Sequence, residues 1–183
     1  MLSLTKILVT RCGSGESVIM VQKVNRKFTA ENPKESTEDS LNQCSDSCKN
    51  EDDCAAFTYA DDKCLRYSSV SEEVSEDDFY YQKACVETSK VCTAPFTFEL
   101  LRNWVLVGFA RKVLEVGKLQ DCLQECLDSF DKYKFECQSV MFYPNDAECI
   151  LNTEDRRERN ELFITEQNEN VIYADNNCAG CKF

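Results

Sequence analysis

Two short stretches of the sequence have the same pattern: LNQCSDSC from Leu41 to Cys48 and LQDCLQEC from Leu119 to Cys126. Each stretch carries two cysteines four positions apart and a leucine three positions before the first cysteine. Because residues three and four apart share one face of a helix, the pattern predicts amphipathic helices over Ser40–Asn50 and Val116–Ser129. The cysteines and the leucine then form the face that meets the rest of each domain.

The other cysteines repeat one arrangement around both helices. Each half of the chain contains six cysteines in the same order, and the first gap is 32 positions in one half and 30 in the other. The first set is Cys12, Cys44, Cys48, Cys54, Cys64 and Cys85, and the second set is Cys92, Cys122, Cys126, Cys137, Cys149 and Cys178. This repeat indicates an internal duplication with one module in each half.

A hairpin is predicted after the fourth cysteine of each half. Residues 55–59 and 139–143 are apolar and aromatic, and an acidic turn, Asp61-Asp62 or Asn145-Asp146, leads to the fifth cysteine. A short β-prone segment then runs to the sixth cysteine in both halves.

The segments before the helices complete the predicted sheets. Residues 96–101 and 104–109 are strand-like, whereas residues 13–27 are more polar and less strand-like. The predicted fold class is α+β: two tandem disulfide-rich modules, each an antiparallel sheet with one helix pinned across it.

The composition predicts an oxidising compartment and argues against catalysis. Thirteen cysteines among 183 residues are typical of small secreted domains that depend on disulfides. The absence of histidine excludes Ser-His-Asp and Cys-His catalysis and the usual general base near neutral pH. Zinc sites favour close cysteine pairs often completed by histidine, so zinc is the minor interpretation. We therefore expect no enzyme, no cofactor and no metal.

The charge is negative along the whole chain. The net charge of −12 divides into 10 basic and 16 acidic residues through Val86, and 11 basic and 17 acidic residues after it. Such a field repels nucleic acid and anionic membrane surfaces, so neither is an expected partner. No run of apolar residues is long enough to span a bilayer, so direct membrane insertion is not expected.

The N-terminus does not contain a convincing signal peptide. Its apolar run is Ile7-Leu8-Val9, shorter than the ~7–15 residues of a signal-peptide core. The cysteine framework, which involves twelve positions, nevertheless predicts an extracellular location, either secreted or within the extracellular matrix.

Both halves resemble the PAN/Apple family, whose mark is a helix with two cysteines four apart, a following hairpin with two more, and an outer pair. The resemblance implies modules at residues 12–85 and 92–178 with a short linker at 86–91. It also implies that the first cysteine pairs with the sixth, the second with the fifth and the third with the fourth. The implied disulfides are Cys12–Cys85, Cys44–Cys64, Cys48–Cys54, Cys92–Cys178, Cys122–Cys149 and Cys126–Cys137.

The adjoining pair and the sequence CTAPFTFE from Cys92 to Glu99 are similar to tandem PAN regions of nematode and arthropod apical-matrix proteins of the zona pellucida type. The resemblance implies a non-catalytic pair of modules that contacts extracellular proteins or matrix, for example in the apical extracellular matrix or the cuticle. Two alternatives stay open: a carbohydrate-binding, lectin-like PAN protein, and the non-catalytic part of a larger receptor or protease.

The thirteenth cysteine, Cys181, lies outside both sets of six. An odd cysteine in a secreted protein favours an intermolecular bond, so a disulfide-linked dimer through Cys181 is expected. Cys178 and Cys181 form a Cys-x-x-Cys pair, but no helix follows that would activate a redox thiol. Which of the two closes the second module is open at this point.

Four further features have a simple structural interpretation. The cluster at 156–159 (RRER) and the acidic runs at 51–53 and 72–78 are interpreted as solvated turns and loops, since the runs lack the ligand pattern of an EF-hand. Strand alternation places half of a candidate aromatic ligand platform in the core; its members are Phe57, Tyr59, Phe142 and Tyr143. N-glycosylation is expected to be absent unless Asn176, in the context Asn-Asn-Cys, is used.

Overall fold

Two units, each with its own strands, helix and disulfides, make up the structure, which is a computed structural model that describes residues 6–7, 11–30, 32–90 and 92–179. Unit 1 comprises residues 1–85 and 93–97, and unit 2 comprises residues 86–92 and 98–183. Both units are α+β and rich in disulfides, as predicted.

Unit 1 has one antiparallel sheet with a helix across it. Its elements in chain order are β1 (Lys6–Ile7), β2 (Ser17–Thr29), β3 (Lys34–Thr37), α1 (Leu41–Asn50), β4 (Ala56–Ala60), β5 (Lys63–Tyr67) and β6 (Val70–Val86). The strand order is β3-β5-β4-β6-β2, and β1 pairs with β6. Helix α1 begins after Ser40, whose hydroxyl accepts a hydrogen bond from the Gln43 amide at 3.3 Å and caps the first turn.

The core of unit 1 lies between α1 and the sheet. Both helix cysteines are fully buried there, and Phe57 of β4 stacks on Tyr81 of β6 with ring centroids 4.7 Å apart. The opposite face of the sheet buries a second, smaller cluster around Tyr80, with Phe28 at its edge. The long strands β2 and β6 supply side chains to this second layer.

Unit 2 repeats the plan with additions. Its elements are β7 (Phe98–Arg102), β8 (Trp104–Leu106), β9 (Ala110–Glu115), α2 (Leu119–Leu127), α3 (Ser129–Tyr133), β10 (Ser139–Tyr143), β11 (Glu148–Asn152), a 3-10 turn (Asn160–Leu162), β12 (Phe163–Thr165) and β13 (Ile172–Asn176). The main sheet has the order β7-β13-β10-β11-β9, and β8 and β12 form a separate two-stranded ribbon.

An asparagine with left-handed backbone marks the same position in both units. Asn25 has φ +58° within β2, and Asn103 has φ +60° between β7 and β8. Each lies 19 residues before the first helix cysteine, Cys44 or Cys122. Asparagine tolerates this conformation better than most residues. In unit 2 this asparagine separates two strands, β7 and β8, whereas in unit 1 strand β2 continues beyond Asn25.

Several local predictions differ from the structure. Residues 13–27 were expected to be weakly strand-like, but β2 is a 13-residue strand, because pairing within a sheet outweighs weak intrinsic propensity. The acidic residues 72–78 belong to β6 rather than to a loop. The predicted second helix, residues 116–129, is the shorter α2, and the additional short helix α3 follows it.

The residues around the predicted short linker at 86–91 make their own contacts. Thr88 and Lys90 contact Asp128 and Asp131, so residues 86–90 pack with unit 2. Ser45 of α1 donates a hydrogen bond to the carbonyl of Pro95 at 2.5 Å, so residues 93–97 pack with unit 1. The chain thus contributes to unit 2 before it completes unit 1.

Candidate interaction surfaces

Three disulfides form the frame of each unit. Their Cα–Cα distances are between 5.2 and 5.7 Å, within the ordinary range for disulfides. The bonded pairs are those that the family resemblance implies: Cys12–Cys85, Cys44–Cys64, Cys48–Cys54, Cys92–Cys178, Cys122–Cys149 and Cys126–Cys137. Cys178 therefore closes unit 2. Cys181, expected to form an intermolecular bond, lies outside the described residues.

The inner disulfides join each helix to the hairpin that follows it. Cys44 and Cys122 bond to the fifth cysteines on β5 and β11, and all four sulfurs are buried. A helix of nine or ten residues is marginal alone, so these bonds fix its position on the sheet.

A buried tyrosine lies five residues before the last cysteine in each unit, and its hydroxyl contacts a carboxylate. In unit 1, Tyr80 donates to Glu72 at 2.7 Å. Lys23 of β2 forms an ion pair with the same carboxylate, and Arg26 lies 3.6 Å from it. Lys23 also lies over the Tyr80 ring, 5.8 Å from its centroid. This cluster joins β2 to β6.

In unit 2, Tyr173 donates to Asp175 at 2.6 Å. The Asp175 side chain is completely buried, and Arg156 Nε reaches it at 2.5 Å. Arg156 also forms an ion pair with Glu99 of β7. Burial raises the pKa of Asp175, and the hydrogen bonds from Tyr173 and Arg156 oppose that shift. Burial and the Asp175 charge together raise the pKa of Tyr173.

The interpretation of residues 156–159 as a solvated turn is therefore wrong for Arg156. Its side chain is only 24% exposed and bridges two carboxylates, whereas those of Arg157 and Arg159 are about twice as exposed, at 46% and 44%. No sequence pattern indicates this role, because Glu99 and Asp175 are far from Arg156 along the chain.

The acidic run at 51–53 is also partly ordered. Glu51 accepts a hydrogen bond from Arg66 at 2.8 Å and forms an ion pair with Lys34. Burial opposes ionisation of Glu51, but these hydrogen bonds outweigh burial and hold its pKa below the usual value. Glu51 therefore joins the end of α1 to β3 and β5 instead of lying free in a loop.

An exposed aliphatic surface lies on the outer side of the β8–β12 ribbon. Val105 pairs with Ile164 in the ribbon register, and the Val107 amide donates to the Leu162 carbonyl at 3.0 Å. Val107 and Ile164 are 47% and 50% exposed, and Leu162 is exposed at the end of the ribbon. Strand alternation places these four side chains on one face, which we call the ribbon surface.

The other face of the ribbon is packed, which holds the ribbon surface in place. Trp104 stacks on Phe163 with ring centroids 4.8 Å apart, and Phe163 packs against Tyr173 at 4.7 Å. Leu106 is buried, and its amide lies 3.3 Å from the Met141 sulfur. The ribbon surface is thus presented by a layer that is anchored to the sheet of unit 2.

Unit 1 has a different exposed feature, an open depression of about 250 Å³ lined by aromatic and charged residues. Its aromatic lining comes from Phe28, Tyr67 and Phe79, and its charged lining from Lys27 and Asp78. Phe28 packs edge-on against Tyr67 at 4.7 Å. We call this feature the aromatic depression.

The aromatic residues singled out in the sequence lie elsewhere. Phe57 and Phe142 are buried, whereas Tyr59 and Tyr143 are partly exposed, so half of them are in the core, as alternation predicts. The ribbon surface was missed. The only available signal was the continuous apolar run from Trp104 to Val107, which does not show which face is covered.

Comparisons with known proteins agree with this architecture. The family model described as the PAN domain matches residues 12–92 and 85–178, so two copies cover most of the chain. An uncharacterized protein of Caenorhabditis elegans is 38% identical over 106 residues, which is 56% of this chain and 16% of that protein. A second uncharacterized protein of the same nematode is 36% identical over 67 residues, which is 37% of this chain and 23% of that protein.

The chain therefore spans less than a quarter of the length of either nematode relative. Among solved structures, the two N-terminal apple domains of Toxoplasma gondii microneme protein 4 are 16% identical, with a TM-score of 0.31 over 83% of this chain and 86% of that chain. Two matches to one family model, each with the six-cysteine frame, identify the halves as copies of one module: the chain belongs to the PAN domain family.

Proposed function

We propose that this chain is a non-catalytic extracellular module pair that binds a partner protein of the extracellular matrix, and that the ribbon surface of unit 2 is the contact. PAN modules are extracellular interaction modules for proteins or carbohydrates and are generally non-catalytic. The observation that carries the proposal is the exposure of Val107, Leu162 and Ile164, beside the partly exposed Val105, on an anchored ribbon. Exposed apolar patches of this kind mark protein contacts.

The corresponding positions of unit 1 support this assignment. Lys27 and Val105 each lie 17 residues before the first helix cysteine of their units, and Thr29 and Val107 each lie 15 before it. Lys27 is solvated and lies 3.9 Å from Glu73. The fold therefore accepts charged and polar residues at these positions, so the aliphatic residues of unit 2 are not required by the fold.

The partner is expected to present an apolar surface with basic residues around it, because the chain is strongly acidic. Nucleic acid and anionic membranes are not expected partners for the same reason. Within the described residues, none of the helices has the length and apolar character needed to cross a bilayer. A role in apical matrix or cuticle is part of the proposal, and its basis is the resemblance of the adjoining modules to the PAN regions of apical-matrix proteins.

Three single lysine substitutions, one of them a control, test the ribbon surface. Ile164→Lys and Val107→Lys place a charge in the contact, and Val113→Lys adds the same charge at an equally exposed valine on β9. Each variant is immobilised, matrix proteins are captured, and the captured partner is then titrated by surface plasmon resonance. We expect the affinity for the partner to fall roughly tenfold or more in Ile164→Lys and Val107→Lys and to change little in Val113→Lys. Equal affinities for all three variants would show that the contact lies elsewhere.

A carbohydrate ligand is the second candidate, favoured by the aromatic depression of unit 1. Aromatic rings pack against the C–H faces of sugars, and Lys27 and Asp78 offer a donor and acceptors for hydroxyl groups. Glycan-array binding that persists at moderate salt and is lost in Phe79→Ala would favour this function. Binding of a matrix protein that is independent of glycans would count against it.

The module boundaries and the extra cysteine complete the proposal. We take residues 12–85 and 92–178 as the two modules, and Cys181 as the cysteine that forms an intermolecular disulfide. A covalent dimer or mixed disulfide on non-reducing gels, abolished by Cys181→Ser, is the expected result. A monomer with one titratable thiol would rule out the intermolecular bond.

A further inference from the structure

The sequence contains two Asn-x-Cys triplets, and the structure separates them. Asn42-Gln43-Cys44 opens helix α1, and Asn176-Asn177-Cys178 ends β13. In both, a cysteine takes the third place that serine or threonine occupies in the usual acceptor for N-linked glycans. The cysteine thiol is a weak donor in place of a hydroxyl, so such triplets are acceptors only where access and timing allow.

Asn176, the acceptor that the sequence suggested, is not accessible. Its side chain is only 7% exposed, and Nδ2 donates to the Cys137 carbonyl at 2.8 Å. Its Oδ1 accepts from the Cys178 amide at 3.0 Å. A glycan on Nδ2 would remove a buried hydrogen bond and would have no space, so a chain modified there could not form this structure.

Asn42 has the opposite environment. It lies in the first turn of α1 and is exposed, whereas the buried face of the helix consists of Cys44, Ser45 and Cys48. Asp46, one turn further along, is exposed on the same side. A large hydrophilic substituent on Asn42 would therefore extend into solvent and leave the packing of α1 on its sheet unchanged.

We propose that Asn42 carries an N-linked glycan. In the transfer, the anomeric carbon of a lipid-pyrophosphate-linked oligosaccharide bonds to Nδ2 of Asn42. The C–O bond to the pyrophosphate breaks, the lipid pyrophosphate leaves with the electron pair, and one amide proton is released. The proposal rests on the extracellular location in the proposed function, since the transfer occurs in the secretory pathway.

The disulfide frame sets the timing of this transfer. In the folded protein Cys44 is fully buried and bonded to Cys64, 20 residues further along the chain. The free thiol of Cys44 exists only before that bond closes. Glycan transfer to Asn42 therefore competes with formation of Cys44–Cys64, and the glycosylated fraction reports which occurs first.

Peptide mapping of the secreted chain tests the proposal. The full chain with a cleavable export signal is produced in cultured human cells, treated with peptide-N-glycosidase in ¹⁸O-water and digested with trypsin. We expect ¹⁸O-labelled aspartate at position 42 in the peptide Glu35–Lys49, and unlabelled asparagine at position 176. The glycosylated species is lost in Asn42→Gln. It increases in Cys64→Ser, where the Cys44 thiol has lost its partner.

The outcomes separate this proposal from the proposed function. Glycosylation at position 42 is also measured on chains retained inside the cells, because glycan transfer precedes export. Unmodified Asn42 in the wild type and in Cys64→Ser, with the disulfides formed, would overturn the glycan proposal and leave the extracellular location intact. A labelled Asn176 would overturn the accessibility argument. A wild-type chain that stays reduced and is degraded despite the export signal would count against the extracellular location itself.

Discussion

The two units place a buried tyrosine at the same position but neutralise its surroundings with different residues. Tyr80 and Tyr173 each lie five residues before the last cysteine, and each donates to a carboxylate. In unit 1 the carboxylate is Glu72 and the cations come from β2. In unit 2 the carboxylate is Asp175 and the cation is Arg156, after β11. The frame requires a satisfied polar cluster at this place, not particular residues.

The position two residues after each tyrosine also differs between the units, in the residue and in its hydrogen bonding. Gln82 and Asp175 both lie three residues before the last cysteine, and both are buried. Asp175 has charged partners, whereas Gln82 Oε1 has no hydrogen-bond partner among the described residues. Unit 2 therefore depends on one buried ion pair more strongly than unit 1 depends on any single cation, and this difference can be tested.

The largest expected effect is at Arg156. Arg156→Met leaves Asp175 buried with the Tyr173 hydroxyl and with one more distant cation, Arg157 at 4.0 Å, so we expect a loss of about 3 to 5 kcal/mol from unit 2. The matched change Lys23→Met leaves Arg26 and the Tyr80 hydroxyl on Glu72, and should cost about 1 to 2 kcal/mol. Urea unfolding measures both, with Trp104, the single tryptophan, reporting on unit 2.

A control separates charge burial from lost packing at this site. Arg156→Met combined with Asp175→Asn removes the uncompensated charge, so it should be more stable than Arg156→Met alone. If the two single substitutions in units 1 and 2 cost the same and Asp175→Asn gives no recovery, the contrast between the units is wrong.

The third-to-fourth disulfides should rank next. Cys48 and Cys54 are six residues apart, and Cys126 and Cys137 are 11 apart. Replacing each pair with alanine should cost about 2 to 3 kcal/mol, with unit 2 losing about 0.5 kcal/mol more because its loop is longer. Separate unfolding curves of the two double variants test the order, and the reverse order would show that packing around the sulfurs outweighs loop length.

A smaller, pH-dependent effect is expected at Glu51. Its pKa is held below the usual value of 4.5, so its stabilisation is fully present above that pH and is lost as the pH falls through the lower folded value. Glu51→Gln should cost about 1 kcal/mol at neutral pH and nothing in strong acid. Glu125 of unit 2, paired with Lys132 and Tyr133, should show the same sign. A constant difference between Glu51→Gln and the wild type across the acid range would exclude this ionisation as the cause.

The smallest effect concerns the hairpin turns. Asp62 and Ala147 both lie two residues before the fifth cysteine and both have positive φ, +59° and +53°. Alanine is strained there, so Ala147→Gly should stabilise unit 2 by about 0.5 kcal/mol. Asp62→Gly should not stabilise unit 1, because aspartate tolerates this backbone and accepts a hydrogen bond from Tyr59 at 3.3 Å. Thermal unfolding of the two variants distinguishes these results.

Much of the fold followed from local patterns that report on one element at a time. The cysteine spacing and leucines predicted both helices, which begin at Leu41 and Leu119, and the acidic turns predicted both hairpins. The family resemblance supplied the disulfide pairs. Strand β2 was underestimated because its polar residues are paired across the sheet with partners such as Glu72, which lie about fifty residues away.

The candidate surfaces could not be predicted to the same extent. Val105, Val107 and Ile164 read as ordinary strand residues, and only the packing of Trp104 and Phe163 beneath them shows that their face is left uncovered. Asn42 and Asn176 have equivalent triplets, and only burial distinguishes the accessible side chain from the one bonded to Cys137.

The duplication and the module type could be read from the sequence, because cysteine spacing and helix periodicity are encoded within short segments. The tertiary structure decided which charges are buried, which aliphatic face is exposed and which asparagine is accessible. These properties depend on residues far apart in the chain, such as Arg156 with Glu99 and Asp175, and proximity of that kind exists only after the chain has folded.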